Sequence, residues 1–175
     1  MIACFAKGDF NMKDWLDNVL TKAEDFLAMI AAILIIVSML TIILEVFTRY
    51  FTGHSFVWIQ EYNEYFLLYI PFLAGAWLLR QNGHVIINLI DNLLNDHSSR
   101  ILNMIVAVLG IFSMLVLVYY SAVVTFENFQ KGVTSTTVLR TPQAFVYIVI
   151  PIGSFFMLLE FVRIFYRSFK STHSV

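Results

Sequence analysis

The chain is short of almost everything that marks a soluble enzyme. It has one cysteine, three prolines, seven glycines and only 13% charged residues among 175. The lone Cys4 cannot close an internal disulfide and is one short of any cysteine-based metal site. There is no glycine-rich phosphate loop and no strand signal to carry one, so neither an enzyme nor a bound cofactor or metal is expected. A formal net charge of −1 leaves no basic footprint for nucleic acid. Apolar residues make up 59% of the chain. A soluble domain carries about 45–50% apolar and about 25% charged residues, so the excess points to a polytopic membrane protein. The N-terminus lacks a signal-peptide layout. Its first long apolar run, from Phe26, exceeds a cleaved segment of about 7–15 residues and is expected to remain as a span.

The chain reads as one all-α integral membrane domain over residues 1–175. Four transmembrane helices are expected near 26–47, 58–79, 101–126 and 142–162, with short interfacial amphipathic helices near 12–25 and 85–96. In the first interfacial segment Trp15, Leu16, Val19, Leu20, Ala23 and Phe26 recur at helical spacing, with Lys13, Asp14, Asp17 and Lys22 on other faces. Glu45 and Arg49 stand four apart, the spacing of a local ion pair. Gly53 breaks the chain and Ser55 can cap the second span. Tyr50, Phe51, Phe56, Trp58 and Tyr62 form an aromatic girdle of the kind found at headgroup level. Pro71 predicts a kink in span two. Arg80-Gln81-Asn82-Gly83-His84 reads as a turn, and Ser98 or Ser99 as the cap of span three. Thr141-Pro142 reads as a cap followed by proline at the first helical position, and Pro151 with Gly153 as a bend.

Lys7, Lys13, Lys22, Arg80, Arg100, Arg163, Arg167 and Lys170 fall on one side of this layout; Arg49, Lys131 and Arg140 fall on the other. The richer side is expected to be cytoplasmic, which puts both termini inside. Two other membrane classes compete. A haem or quinone anchor needs axial histidines within the bilayer, but His54, His84, His97 and His173 all lie outside the spans. A stand-alone transporter needs polar groups along a path, and the spans offer only Ser38, Thr41, Ser113 and Ser121, hydroxyls of a kind that bond back to their own helix.

The order Arg49-Tyr50, Ser55, Trp58, Glu61, Gly75-Ala76, Arg80 and Gly83-His84-Val85 resembles the small membrane subunit of tripartite ATP-independent periplasmic (TRAP) transporters. Thr141-Pro142 followed by Tyr147, Pro151 and Gly153 is similar to that family's last helix. The likeness runs from about residue 15 to 168. Gln60 stands where the family often has the first of two adjacent acids, and Asn88 stands near a place where an acid often follows the histidine. The resemblance implies a sodium-driven system of the bacterial inner membrane. In it, a periplasmic binding protein delivers an organic acid (sialic acid, another sugar acid or a C4-dicarboxylate) to a large permease subunit. The small subunit packs on that permease as a heterodimer, and the ion and substrate sites belong to the larger partner.

Candidate subunit or phospholipid contacts are therefore Arg49, Trp58, Glu61, Glu64, Gly75, Arg80 and His84. Glu61 and Glu64 are three apart on one helix face. They either pair with basic groups of a neighbouring subunit, the binding protein or Arg49, or form a solvated helix N-terminus favoured by the dipole. Arg80 is expected at lipid phosphate, at helix-end carbonyls, or simply extended from a helix end to the interface. His84 is expected to fix the turn into the interfacial helix. Trp15, Trp58 and Trp77 read as belt residues. Gly75, Ala76 and Gly110 mark a small-residue face suited to close packing on a larger protein.

Overall fold

A computed structural model describes residues 12–54, 56–91, 96–135 and 139–172. Five helices follow in order: α1 (Met12–Thr52), α2 (Val57–Asp91), α3 (Asp96–Lys131), α4 (Gln143–Tyr147) and α5 (Val149–Thr172). Among the described residues the one extended pairing is an antiparallel bridge between Thr134 and Pro142, so the all-α expectation holds. Among the described residues three stretches are long and apolar enough to cross a membrane: Asp17–Thr52, Met104–Lys131 and Gln143–Ser168. The second expected span, in α2, is not among them. Asn63, Glu64 and the tyrosines at 62, 65 and 69 dilute its apolar run.

The helices are longer than the sequence pattern suggests, and several expected boundaries vanish. The interfacial helix at 12–25 and the span at 26–47 are one 41-residue helix. At 1.5 Å per residue it is about 60 Å long, twice the ~30 Å hydrocarbon core. No glycine or proline interrupts it before Gly53, which takes φ +69° and ends it. The expected turn at Arg80–His84 is also absent. α2 runs on through it to Asp91, because a single helical glycine costs only about 1 kcal/mol relative to alanine. The separate helix at 85–96 therefore merges into α2, and residues 92–95 lie outside the described part. Since α3 starts at Asp96, Ser98 and Ser99 sit inside it rather than capping it.

The fourth span is broken, but earlier than Pro151. Pro142 occupies the N-cap position itself, without a side-chain cap bond, so Thr141 is not the cap. The helix stops at Tyr147 and restarts at Val149. Pro151 has no N–H to give the carbonyl four residues back, which is that of Tyr147, so the interruption falls there. Ile148 still donates to the Ala144 carbonyl at 3.1 Å, which keeps the two pieces nearly continuous.

α1 packs on α2, α2 on α5, and α5 on α3. α2 runs parallel to α5, and the other neighbouring pairs are antiparallel. The buried apolar residues are few and mostly small: Ala31, Ala76, Ala107 and Ala144 with Ile59, Leu73, Val146 and Val149. Lipid is as apolar as leucine, so close approach rather than oil-drop burial holds such helices together. Gly75, Gly110 and Gly153 make that approach possible. An added Cβ at Gly75 would meet the Met157 sulfur at 2.6 Å, one at Gly110 would overlap the Phe161 ring, and one at Gly153 would overlap the Phe72 carbonyl. Gly75, Ala76 and Gly110, offered by the sequence to a larger protein, are thus used within the chain's own bundle.

The obstacle at Gly153 is backbone, while that at Gly75 is the end of a flexible side chain. Gly153→Ala is expected to destabilise the bundle by roughly 1–3 kcal/mol, as overpacking does, and Gly75→Ala by less. Thermal unfolding of the two variants in lipid nanodiscs checks the order. Equal melting temperatures would remove close α2–α5 contact as the cause.

Candidate functional site

Among the described residues the largest fully buried side chains are Glu24, Glu160 and Ser154. Two are carboxylates, and they meet at one end of the bundle. Glu24 lies on α1, in the segment read as interfacial, and Glu160 lies on α5. Between them stand Arg80 of α2 and Arg163 of α5. Arg80 Nη1 donates to Glu24 Oε2 at 3.0 Å and to the Thr21 carbonyl at 3.1 Å, while Nη2 pairs with Asp25. Arg163 Nη1 donates to Glu160 Oε2 at 3.0 Å and lies 3.9 Å from Glu24 Oε1. Its Nη2 donates to Asp17 Oδ1 at 2.7 Å and to the Asp17 carbonyl at 2.9 Å. One cluster therefore joins three helices whose charged residues are far apart in sequence.

The sequence pattern contains the signal for this cluster. Asp17, Glu24, Ala31, Ser38 and Glu45 recur every seven residues along α1 and fall on one stripe of the helix. Across α4 and α5, Val146, Gly153 and Glu160 do the same, and all three are buried. A polar or small stripe on an otherwise greasy helix marks the inward face of a membrane bundle, the reverse of a soluble amphipathic helix. Reading Asp17 and Lys22 as a solvated face hid the stripe.

Ser38 is the next step along it. Its hydroxyl donates to Asn63 Oδ1 on α2 at 2.6 Å, and Asn63 Nδ2 donates to the Ile59 carbonyl at 2.9 Å. Thr41 and Ser121 bond back to their own helices as expected, to the carbonyls of Val37 at 2.9 Å and Val118 at 3.2 Å. Asn63 also reaches Thr41 across the helix pair, its Nδ2 donating to Thr41 Oγ1 at 3.3 Å, so both hydroxyls share this one partner on α2.

At the other end of the bundle the expected contact residues separate. Arg49 pairs with Glu45 one turn away. With Glu64, Gln60 and Asn63 that pair lines an open cleft of about 500 Å³ between α1 and α2. Glu61 does not work beside Glu64. It is 4% exposed and accepts a hydrogen bond from the Leu139 amide at 3.2 Å. That bond fastens the loop between α3 and α4, which the Ser135 amide and the Thr141 carbonyl also close at 2.9 Å. Tyr69 adds a tie from α2 to the Phe145 carbonyl at 2.7 Å. Trp58 is half-exposed, with its ring centroid 5.9 Å from Phe56 and 6.3 Å from Tyr62. Together with Tyr50 and Phe51 these rings form an exposed aromatic band. Arg80 does not extend outward to the interface; it turns inward to α1. His84 stands on a helical backbone, so no turn is there for it to fix, and its side chain lies outside the described part. Among the described residues no group of three or more His, Cys, Asp or Glu side chains is placed to hold a metal ion.

Four acids share two arginines in the buried cluster, so each arginine is the member it can least spare. Removing one partner of a buried ion pair costs roughly 3–5 kcal/mol, because a bare charge stays behind. Arg163→Ala is expected to lose about that much stability, and Glu160→Gln distinctly less. Unfolding in mixed detergent micelles separates the two. Equal losses would mean that the cluster is not held by its arginines.

A search of curated proteins finds no match to the chain. A family model does match, over residues 38–171, well beyond half of the chain: tripartite ATP-independent periplasmic transporters, DctQ component. The matched region holds α2 to α5 almost entire, including Arg80, Glu160 and Arg163, and α1 from Ser38 onward. The chain belongs to the DctQ family, the small membrane component of TRAP transporters.

Proposed function

We propose that this chain is the small integral membrane subunit of a sodium-driven TRAP transporter, and that it packs on the large permease subunit. In this reading it supports uptake of an organic acid delivered by a periplasmic binding protein. The acid is sialic acid, another sugar acid or a C4-dicarboxylate. α2 is the fourth span, carried across by its neighbours α1 and α5, and the chain is multi-pass in the bacterial inner membrane with both termini cytoplasmic. The buried cluster then lies at the cytoplasmic end and the Trp58 band at the periplasmic end, with phospholipid headgroups beside that band.

One observation carries this reading. Among the described residues the buried ionic groups have partners within the chain, and the two arginines join α2 and α5 to α1. Arg80 and Arg163 hold Glu24 and Glu160, and Glu61 holds a loop amide. Coupling an ion to a solute needs polar groups that can change partners along a path. These groups are committed to architecture, which suits a scaffold for a larger machine. Arg49, already paired with Glu45, lies with Trp58 and Glu64 on the exposed rim of the opposite end, where another subunit or the binding protein can meet them.

Proteoliposomes test the division of labour. Sodium-driven uptake of a labelled sugar acid is expected only when this chain, the large subunit and the binding protein are all present. Solute carried by this chain alone would overturn the reading. A reporter enzyme active only in the cytoplasm, fused after Val175, is expected to be active. Activity of a periplasm-only reporter at that position would reverse the orientation.

A further inference from the structure

Tyr119 and Tyr120 stand where lipid has nothing to offer them. They are 63% and 64% exposed, and their rings pack edge to face with centroids 5.4 Å apart. Neither hydroxyl has a hydrogen-bond partner among the described residues. Two independent frames fix their depth. Along α3 they lie within the uncharged run Ile101–Phe126, and Tyr120 is about 10 Å short of Glu127 at 1.5 Å per residue. Across to α5, Leu115 shares a groove with Leu158, and Ala122 shares one with Pro151. The tyrosines therefore come level with Gly153, about 15 Å from Arg163 and about 16 Å from Pro142. Both frames place them inside the hydrocarbon, away from the interface where tyrosine usually sits. A hydroxyl held there without an acceptor is unfavourable.

The surface beside them is shaped for an occupant. Leu115, Val118, Tyr119, Ala122 and Phe126 of α3 form a groove of about 640 Å³ with Leu158 of α5. A second groove, of about 340 Å³, continues it to Ile148 and Pro151 at the break between α4 and α5. The outward face of α1 differs. Met29, Ile33, Ile36, Leu40 and Ile43 are exposed there, and none carries a hydrogen-bonding side chain. An acyl chain could fill either surface, but it has no acceptor for a tyrosine.

We propose that the α3–α5 groove, which Tyr119 lines, receives a transmembrane helix of the large permease subunit, and that this subunit supplies hydrogen-bond acceptors to Tyr119 and to Tyr120 beside the groove. This rests on the reading of the chain as that subunit's partner and adds where the contact lies. The face of α1 around Ile36 is then turned to lipid.

Photo-crosslinking in membranes that contain the whole transporter tests the placement. A benzophenone amino acid at position 119, 120 or 123 is expected to give adducts with the large subunit, and one at position 36 is not. Adducts only with lipid or with a second copy of this chain would overturn the proposal, as would equal yields at position 36. Tyr119→Phe and Tyr120→Phe keep the rings and remove the hydroxyls. Each is expected to lower recovery of the large subunit on the tagged chain about threefold, the average worth of one interhelical hydrogen bond in a bilayer. Unchanged recovery in the double variant would count against it equally. If the unaltered chain recovers no large subunit, the partnership itself fails, and this placement with it. Recovery with cross-links at another face defeats the placement alone.

Discussion

The pairing of Arg80 and Arg163 with Glu24 and Glu160 is the constraint on which the rest of the structure depends. The two acids are fully buried, and the arginines are nearly so. Buried charge is unfavourable unless it is paired with good geometry, so these four groups tolerate few alternatives. α1 must bring Glu24 to α2, and α5 must bring both Glu160 and Arg163 to α1. Satisfying all of these contacts fixes the rotation and axial position of three helices at once. Buried ionic contacts are well suited to setting register in this way, and apolar contacts between oily helices are poor at it.

Away from the cluster the bundle relies on close fit. Its buried apolar residues are dominated by alanine, and Gly75, Gly110 and Gly153 each lie against a neighbour that leaves no room for a Cβ. In water, large side chains would supply the drive by leaving solvent. In lipid that drive is absent between helices, and van der Waals contact with a few hydrogen bonds replaces it. The bond from Ser38 to Asn63 and that from Tyr69 to the Phe145 carbonyl are of this second kind. The large apolar side chains are consequently outside, on α1 and α3 above all.

This inversion bears on function. A membrane component whose polar interior is spent on joining helices has a rigid frame and a broad apolar exterior. Such a body is suited to holding a larger protein in place. The ionic residues at its two ends differ in character. Those around Arg80 and Arg163 are enclosed, and those around Arg49 and Glu64 border an open cleft, so the two ends present different chemistry to whatever lies beside them. The chain's place in the DctQ family gives that asymmetry a setting, since a TRAP transporter has components both in the membrane and in the periplasm.

How much of this was legible in the residues differs from one feature to the next. The membrane class followed from composition, and its helical form from long apolar runs without a strand signal, because a backbone in lipid must satisfy itself within a helix or a closed barrel. The family followed from the order Arg49, Trp58, Glu61, Arg80 and Thr141-Pro142. The Glu45–Arg49 pair was readable too, since i,i+4 spacing is local. Helix ends were not readable: Gly83 looked like a turn and is helical, because one glycine inside a helix costs only about 1 kcal/mol. Nor was the buried cluster, which draws on residues up to 146 positions apart in the chain. Local pattern placed Asp17 on a polar face and gave Glu24 no role, and it set Glu61 beside Glu64. Only the arrangement of α1, α2 and α5 decided which charges turn inward, because a charge is buried where a distant partner waits for it, and no local spacing records that partner.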